Sequence, residues 1–216
     1  ESKYRFQNII IHCSCILFTT WLVNGFYHSY YNNDGYLDNV HANVSSLEEK
    51  IEEFEKNNNA ELIPVLLSMA QYMPEYNNLD VQHPPLDFKF GLYVGWDVAS
   101  DSTSLYHYFL QRLLFPIVQN EALDKLQDTL LAEDKNDIYT ALKTYLMLNG
   151  KGKFDKQFLI NTVTQDWDDS GKIAPYADKE IFIGHLNTLF DEPEWRQYAQ
   201  PMDIELVEHA RVILGR

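Results

Sequence analysis

Ile9-Ile10-Ile11-His12-Cys13-Ser14-Cys15-Ile16-Leu17-Phe18-Thr19-Thr20-Trp21-Leu22-Val23 is the apolar centre of a longer run, Phe6 to Asn33, that contains no Asp, Glu, Lys or Arg. The chain as a whole is 23% charged, so a run of this length without charge is a segment selected to avoid water. A helix needs roughly 20 residues to cross the hydrocarbon of a bilayer. Asn8 to Tyr30 supplies about that many when its aromatic end counts as interface. Tyr27, Tyr30 and Tyr31 form the aromatic belt, Lys3 and Arg5 precede the segment, and Asp34 and Asp38 follow it. The distribution of basic residues therefore predicts a cytoplasmic N-terminus, with everything after about residue 30 on the far side. A secretory signal peptide would share the basic start and apolar run, with Val23-Asn24-Gly25 as a loose cleavage site. A buried globular helix is the other competitor. The membrane span is the reading taken.

Polar groups at bilayer depth usually face another helix rather than lipid. His12, Ser14, Thr19 and Thr20 are such groups. The face carrying His12, Thr19 and Thr20 is expected to meet a neighbouring transmembrane helix, from a second copy or another protein. Cys13 and Cys15, the two cysteines of the chain, lie two apart, and residues at that spacing do not face each other on a helix. They read as small residues of the lipid-embedded segment.

Outward from the anchor, the 3.6-residue apolar period dominates. Ser46-Leu47-Glu48-Glu49 reads as a capping box opening a helix to about Lys56. Asn57-Asn58-Asn59 breaks it. A second helix is expected from about Ala60 to Met73, with Pro64 in its first turn. Residues 74–104 read as irregular. Within them, Gly91-Leu92-Tyr93-Val94-Gly95-Trp96 is either a short strand or a packed loop. A long helical stretch from about Ser102 to Ala132 is expected to kink or split at Pro116. Further helices are expected from Asp134–Asp137 to Leu148, closed by Asn149-Gly150, and at about Asp155–Asp166, Asp178–Phe190 and Asp203–Leu214. The fold class is all-α: one transmembrane helix (residues 1–33, with a short flank) followed by a stack of antiparallel helices (residues 34–216). Tyr93, Trp96, Tyr145 and Trp167 are expected to pack its core.

The chain has 216 residues, 45% of them hydrophobic, which suffices for a real core. It begins at Glu1 and ends at Gly215-Arg216 directly after a helical pattern, so it is expected to be a piece of a longer protein. A net charge of −15 argues against nucleic acid, whose affinity comes from neutralising phosphates, and against charge-driven binding of anionic lipid by the soluble part. It reads as a solvated acidic surface.

No constellation carries chemistry. Gly150-Lys151-Gly152-Lys153 lacks the Ser or Thr of a phosphate loop and follows a helix instead of a strand. Asp166-Trp167-Asp168-Asp169 lacks the oxygen spacing of a calcium loop and reads as a solvated turn. The seven histidines are scattered, with no His-Glu-x-x-His. No nucleophile elbow occurs, and the soluble part has no cysteine for thiol catalysis. Paired carboxylates such as Glu48 and Glu49 read as exposed helix surface. Asn43-Val44-Ser45 matches the N-glycosylation pattern, which matters only in a eukaryotic secreted protein. No cofactor, metal or catalytic residue is expected, and the chain is read as a non-enzyme.

Several segments together resemble one family. Asp137-Ile138-Tyr139-Thr140-Ala141-Leu142-Lys143-Thr144-Tyr145-Leu146-Met147-Leu148 is similar to a helix with the pattern LYxALKxYLML, followed by Phe154-Asp155 and Trp167. Phe90-Gly91-Leu92-Tyr93-Val94-Gly95 resembles an FGLYxG segment, with Val94 where the family often has Gln. Tyr106, Leu110, Leu114 and Pro116 follow in order, and Asp203-Ile204-Glu205-Leu206-Val207-Glu208-His209-Ala210-Arg211 resembles DxxLVxxAR. The family is IcmF/TssM, large inner-membrane proteins of bacterial type VI and Dot/Icm type IVB secretion systems. The resemblance implies that this segment is the third transmembrane helix and the membrane-proximal periplasmic region. The family's nucleotide-binding region has no counterpart here. It further implies a structural role in a multi-copy complex across the envelope, with homo-oligomers, a small DotU/TssL-type inner-membrane protein and, in type VI systems, an outer-membrane lipoprotein. The alternative is a membrane-anchored periplasmic sensor or ligand-binding module, left open by the aromatic-rich soluble part, which would need a deep apolar pocket.

Overall fold

The computed structural model describes residues 2–191 and 193–215, with side chains from Ile10 onward. Lys3 and Arg5, on which the predicted orientation rests, and Arg216 at the chain's end fall outside the side chains described. Among the described residues every regular element is helical, as expected: α1 (Ser2–Asn57), α2 (Ile63–Tyr72), α3 (Leu86–Lys89), α4 (Gly95–Phe109), α5 (Phe115–Ala132), α6 (Lys135–Leu148), α7 (Lys156–Asp169), α8 (Lys179–Asp191) and α9 (Ile204–Leu214).

The largest departure from the sequence reading lies in α1. It runs 56 residues without interruption, about 84 Å at 1.5 Å per residue. Ser46 therefore lies inside a helix and caps nothing. The physical reason is that no proline precedes Pro64. With no ring to clash with a preceding carbonyl, nothing forces an end between the apolar run and Leu47. The helix stops where expected: Asn58 takes a left-handed φ of 47°, and its N–H bonds the carbonyl of Phe54. Asn59 then accepts a bond from the Glu61 N–H, opening a short turn (Ala60–Leu62) that leads into α2. From Ile10 onward α1 is the helix long and apolar enough to cross a membrane, and its apolar window is unburied by the rest of the protein.

The chain divides into two compact units. The first comprises the described residues up to Glu52 together with Met69–Thr103. Its core is Tyr36, Val40 and Phe88, with Val44, Tyr76, Leu79, Tyr93, Val94 and Val98 packed around them. The segment Gly91–Trp96 is a packed loop that enters α4 at Gly95; no strand forms among the described residues.

The second unit comprises Glu53–Ser68 and the residues from Ser104 on. Helix α6 is its hub, packing on α5, α7 and α9, while α7 also packs on α8. Two residues join α5 to α6, a connection short enough to bring them side by side, whereas α7 reaches α8 through a longer segment with a short turn of its own, Ala174–Tyr176. Each start is capped as the sequence suggested: Asp134, Asp155 and Asp203 accept bonds from the first-turn N–H groups of α6, α7 and α9. Pro116 has the predicted effect, but by a specific device. The turn Leu110–Leu114 before it is widened to a π-helix, in which the Phe115 N–H reaches the Leu110 carbonyl. The wider turn relieves the clash between a proline ring and the carbonyl four residues back. Two aromatic clusters fill this unit: Phe115, Phe154, Phe190 and Trp195, with Trp195 at 5.2–5.6 Å from the other three rings, and Trp167 stacked on Phe182 at 4.7 Å, with Tyr176 alongside.

Candidate functional site

The feature that distinguishes the first unit is how an irregular segment is held to α1. The last carbonyls of a helix as short as α3, like those of a loop, have no helical partner, and a buried orphan carbonyl costs roughly 1–3 kcal/mol. Helix α1 supplies the missing donors from side chains spaced three or four residues apart. The Ser29 hydroxyl donates to the Phe88 carbonyl at 2.8 Å, and Asn33 Nδ2 donates to the same carbonyl at 3.0 Å. Asn32 Nδ2 donates to both the Asp87 carbonyl and its carboxylate at 3.2 Å. Further along, Asn39 donates to the Glu75 carbonyl and Asn43 to that of Met73. Ser29 and Asn33 are buried. The amide of Asn43, in the glycosylation pattern, is thus engaged in packing.

Glycines allow the closest approach. A Cβ on Gly25 would lie 2.4 Å from the Phe90 ring, and one on Gly35 would lie 3.0 Å from the Tyr76 hydroxyl. Phe90 sits over Gly25 with Trp21 and Phe26 against its ring, at 5.5 and 5.6 Å. Tyr36, at the centre of the strap, is fully buried. Burial, with Tyr93 nearby, pushes its phenol up to about 12. Tyr93 donates its hydroxyl to the Val81 carbonyl at 2.7 Å, and its phenol is also raised by burial.

The residues singled out from sequence fall in three places. His12, Ser14, Thr19 and Thr20 are all exposed on α1. At 100° per residue, His12 and Thr19 share a face, Thr20 lies beside it, and Ser14 is about 200° from His12, on the far side. The hydroxyls of Thr19 and Thr20 each donate at 2.8 Å to the carbonyl four residues back, those of Cys15 and Ile16. That bond satisfies the hydroxyl within its own helix, so no second helix is needed to do it. Tyr93 is half-buried in the first unit. Trp96, expected in the core, is 49% exposed. It stands on the first turn of α4 with its edge on Tyr93, where its indole N–H finds an acceptor in the Gln82 carbonyl at 3.2 Å. Tyr145 and Trp167 are buried in the second unit, 2% and 5% exposed. The Tyr145 hydroxyl accepts the N–H of Asp203, tying α6 to the cap of α9. Of the four aromatics, Tyr145 and Trp167 thus belong to the core of the second unit, Tyr93 packs against that of the first, and Trp96 lies outside either.

Sequence reading missed Gly25, Ser29, Asn32, Asn33, Asn39 and Asn43. Their signal is in the sequence: small and amide side chains at spacings of three or four residues from Gly25 to Asn33, and again from Asn39 to Asn43. A helix thought to restart at Ser46 hid it.

Among the described residues no three His, Cys, Asp or Glu side chains are grouped to hold a metal ion. The clefts are open and charged at their rims. The one beneath α5 and α7, about 330 Å³, is crossed by ion pairs from Lys125 to Asp166 at 3.1 Å and from Lys172 to Glu121. A second of about 370 Å³ has an apolar floor of Leu142, Leu146 and Leu214 under Lys143, Lys153 and Arg211. In the second unit, His185 is buried, with Nδ1 2.6 Å from the Tyr106 hydroxyl and Nε2 without a hydrogen-bond partner. Burial lowers this imidazole to about 4.

Comparison with known proteins yields two matches. A family model described as IcmF-related, intracellular multiplication and human macrophage-killing, matches residues 64–216. The chain is 25% identical over 189 residues to the "Type VI secretion system component TssM1" of Pseudomonas aeruginosa, covering 85% of this chain and 16% of that protein. The chain thus spans less than a fifth of the relative's length. No solved structure matches.

Proposed function

The chain belongs to the IcmF-related family, and on that premise we propose that it is the membrane-anchored part of an inner-membrane scaffold in a type VI secretion system. In this reading α1 crosses the inner membrane from a cytoplasmic N-terminus, and the rest of the first unit and the whole of the second stand in the periplasm. The work done is mechanical. A helix that continues unbroken from the anchor into a packed unit couples movement at the membrane to the protein outside it. The amide bonds along α1 are what stop that unit from hinging on the anchor. No catalytic step is assigned to any residue here.

The observation that carries the reading is the family match over residues 64–216, standing directly behind the apolar helix. The strap on α1 adds a physical argument. A signal peptide is removed after export, whereas here Trp21, which precedes the candidate cleavage site at Val23-Asn24-Gly25, packs on Phe90 of the first unit. The named relative favours type VI over the type IVB machine. The clefts, open and charged at their rims, give the sensor reading little support.

The test is purification of the full-length protein from membranes in mild detergent, with mass spectrometry of what accompanies it. A small DotU/TssL-type membrane protein in stoichiometric amount, together with an outer-membrane lipoprotein, is the expected result. Dot/Icm subunits in their place would move the assignment to type IVB. A protein recovered alone and monomeric would refute the scaffold role. Orientation is read separately: Asp38→Cys, on a background of Cys13→Ser and Cys15→Ser, should react with a membrane-impermeant maleimide added outside intact spheroplasts.

A further inference from the structure

We propose that the segment Leu86–Leu92, the single turn α3 and the residues that follow it, is a second membrane contact, seated in the phospholipid interface beside α1. The inference rests on the reading of α1 as a membrane span.

Depth is the first argument. Twenty helical residues cross about 30 Å of hydrocarbon. A span starting anywhere from Phe6 to Ile10 ends between about residues 26 and 30. Phe90 packs on Trp21, Gly25 and Phe26, all at or before that end. The first acidic residue on α1, Asp34, stands eight residues beyond Phe26, roughly 12 Å farther along the axis. The loop tip therefore reaches down the anchor to the level of the acyl-chain boundary.

Composition is the second. Leu86 is 73% exposed and Leu92 42%, flanking the half-buried Phe90. The exposed parts of these side chains gain by leaving water. The two charges fit the same placement. Asp87 is held at the level of Asn32, on the water side. Lys89 is exposed on a flexible stem that can reach the phosphates while its methylenes stay with lipid.

The third argument is that three successive carbonyls, those of Asp87, Phe88 and Lys89, are satisfied within the protein, as a low-dielectric setting requires of each polar group it takes in. The Asp87 and Phe88 carbonyls are taken by Asn32, Ser29 and Asn33, and the Lys89 carbonyl by the N–H of Gly91. This last bond closes a tight turn at Phe90, which Gly91 leaves with a φ of +79°. The chain's acidity does not oppose this contact, because it is driven by apolar area.

The experiment uses the whole chain in phosphatidylcholine vesicles, with Cys13→Ser and Cys15→Ser as background. Single cysteines at Leu92→Cys, Ile16→Cys and Asp38→Cys each carry an environment-sensitive fluorophore. Spin-labelled lipids then quench from a shallow or a deep acyl position. Ile16 quenched from the deep position, Leu92 from the shallow one and Asp38 by neither is the expected pattern. Ile16 quenched with Leu92 as silent as Asp38 would overturn the loop contact and leave the span standing. Silence at both Ile16 and Leu92 would overturn the span and the loop together. As a second variant, Gly25→Val should displace the Phe90 ring and reduce quenching at Leu92 without changing Ile16. Undiminished quenching there would show that the Phe90 seat does not set the loop's depth.

Discussion

His185 should make this protein acid-sensitive in a way that a single substitution removes. Its imidazole is buried, 2% exposed, with a free pKa near 6.5 lowered to about 4 by loss of solvation. The rings around it belong to Tyr106, at 5.7 Å, and Tyr176, at 6.0 Å. Burial raises the phenol of Tyr176, which moves it farther from the acid range. The sign follows from linkage. Unfolded protein binds the proton first, so the stability tied to neutral His185 is whole above pH 6.5 and is lost as pH falls towards 4. With 1.36 kcal/mol per unit, the full loss is about 3 kcal/mol, and about 2 kcal/mol is gone by pH 5. For a protein of this size, 2 kcal/mol corresponds to a fall in Tm of roughly 4–8 °C. His185→Gln keeps a polar side chain that does not titrate. Thermal unfolding of the whole chain in detergent, followed by circular dichroism at pH 7.5 and pH 5, gives two differences, one per protein. The many carboxylates titrate in both, so subtracting one difference from the other isolates the imidazole. Equal pH dependence in wild type and variant would refute the reasoning and show that water reaches the ring.

Trp167→Ala removes a ring stacked on Phe182 and should destabilise by roughly 3–5 kcal/mol, seen as a lower Tm; an unchanged Tm would mean the second unit is not built around it. Asn33→Ala removes one of the two donors to the Phe88 carbonyl and should cost about 1–2 kcal/mol. Its effect should be local, as faster protease cutting between residues 74 and 94. Glu133 ends α5 with a left-handed φ of 58°, so Glu133→Gly should raise stability by about 0.5–1 kcal/mol in the same melting assay.

Most of the second unit was legible because its signals are local. Asp134, Asp155 and Asp203 cap the helices that follow them, and a cap acts within three residues. Pro116 announced a disturbance, although only the coordinates show that it takes the form of a π-turn. Trp96 was misjudged because an aromatic side chain does not say which side of its helix faces the core. Its exposure follows from where α4 begins, and that depends on Gly95 and the loop before it. The strap escaped notice because Asn, Ser and Gly are ordinarily read as helix breakers and loop formers.

Legible in the sequence were the charge-free run that can cross a membrane, the Asp caps of α6, α7 and α9, and the family; the starts of α3 and α4, inside a stretch expected to be irregular, were not. The legible features are properties of neighbouring residues, decided by hydrogen bonds and solvation within a few turns. Only the folded chain shows that α1 runs on past the apolar run, that its amides hold the carbonyls of α3 more than fifty residues away, and that Phe90 comes down upon Gly25. A carbonyl without a helical partner must be satisfied by something, and which side chain satisfies it is settled only when distant segments meet.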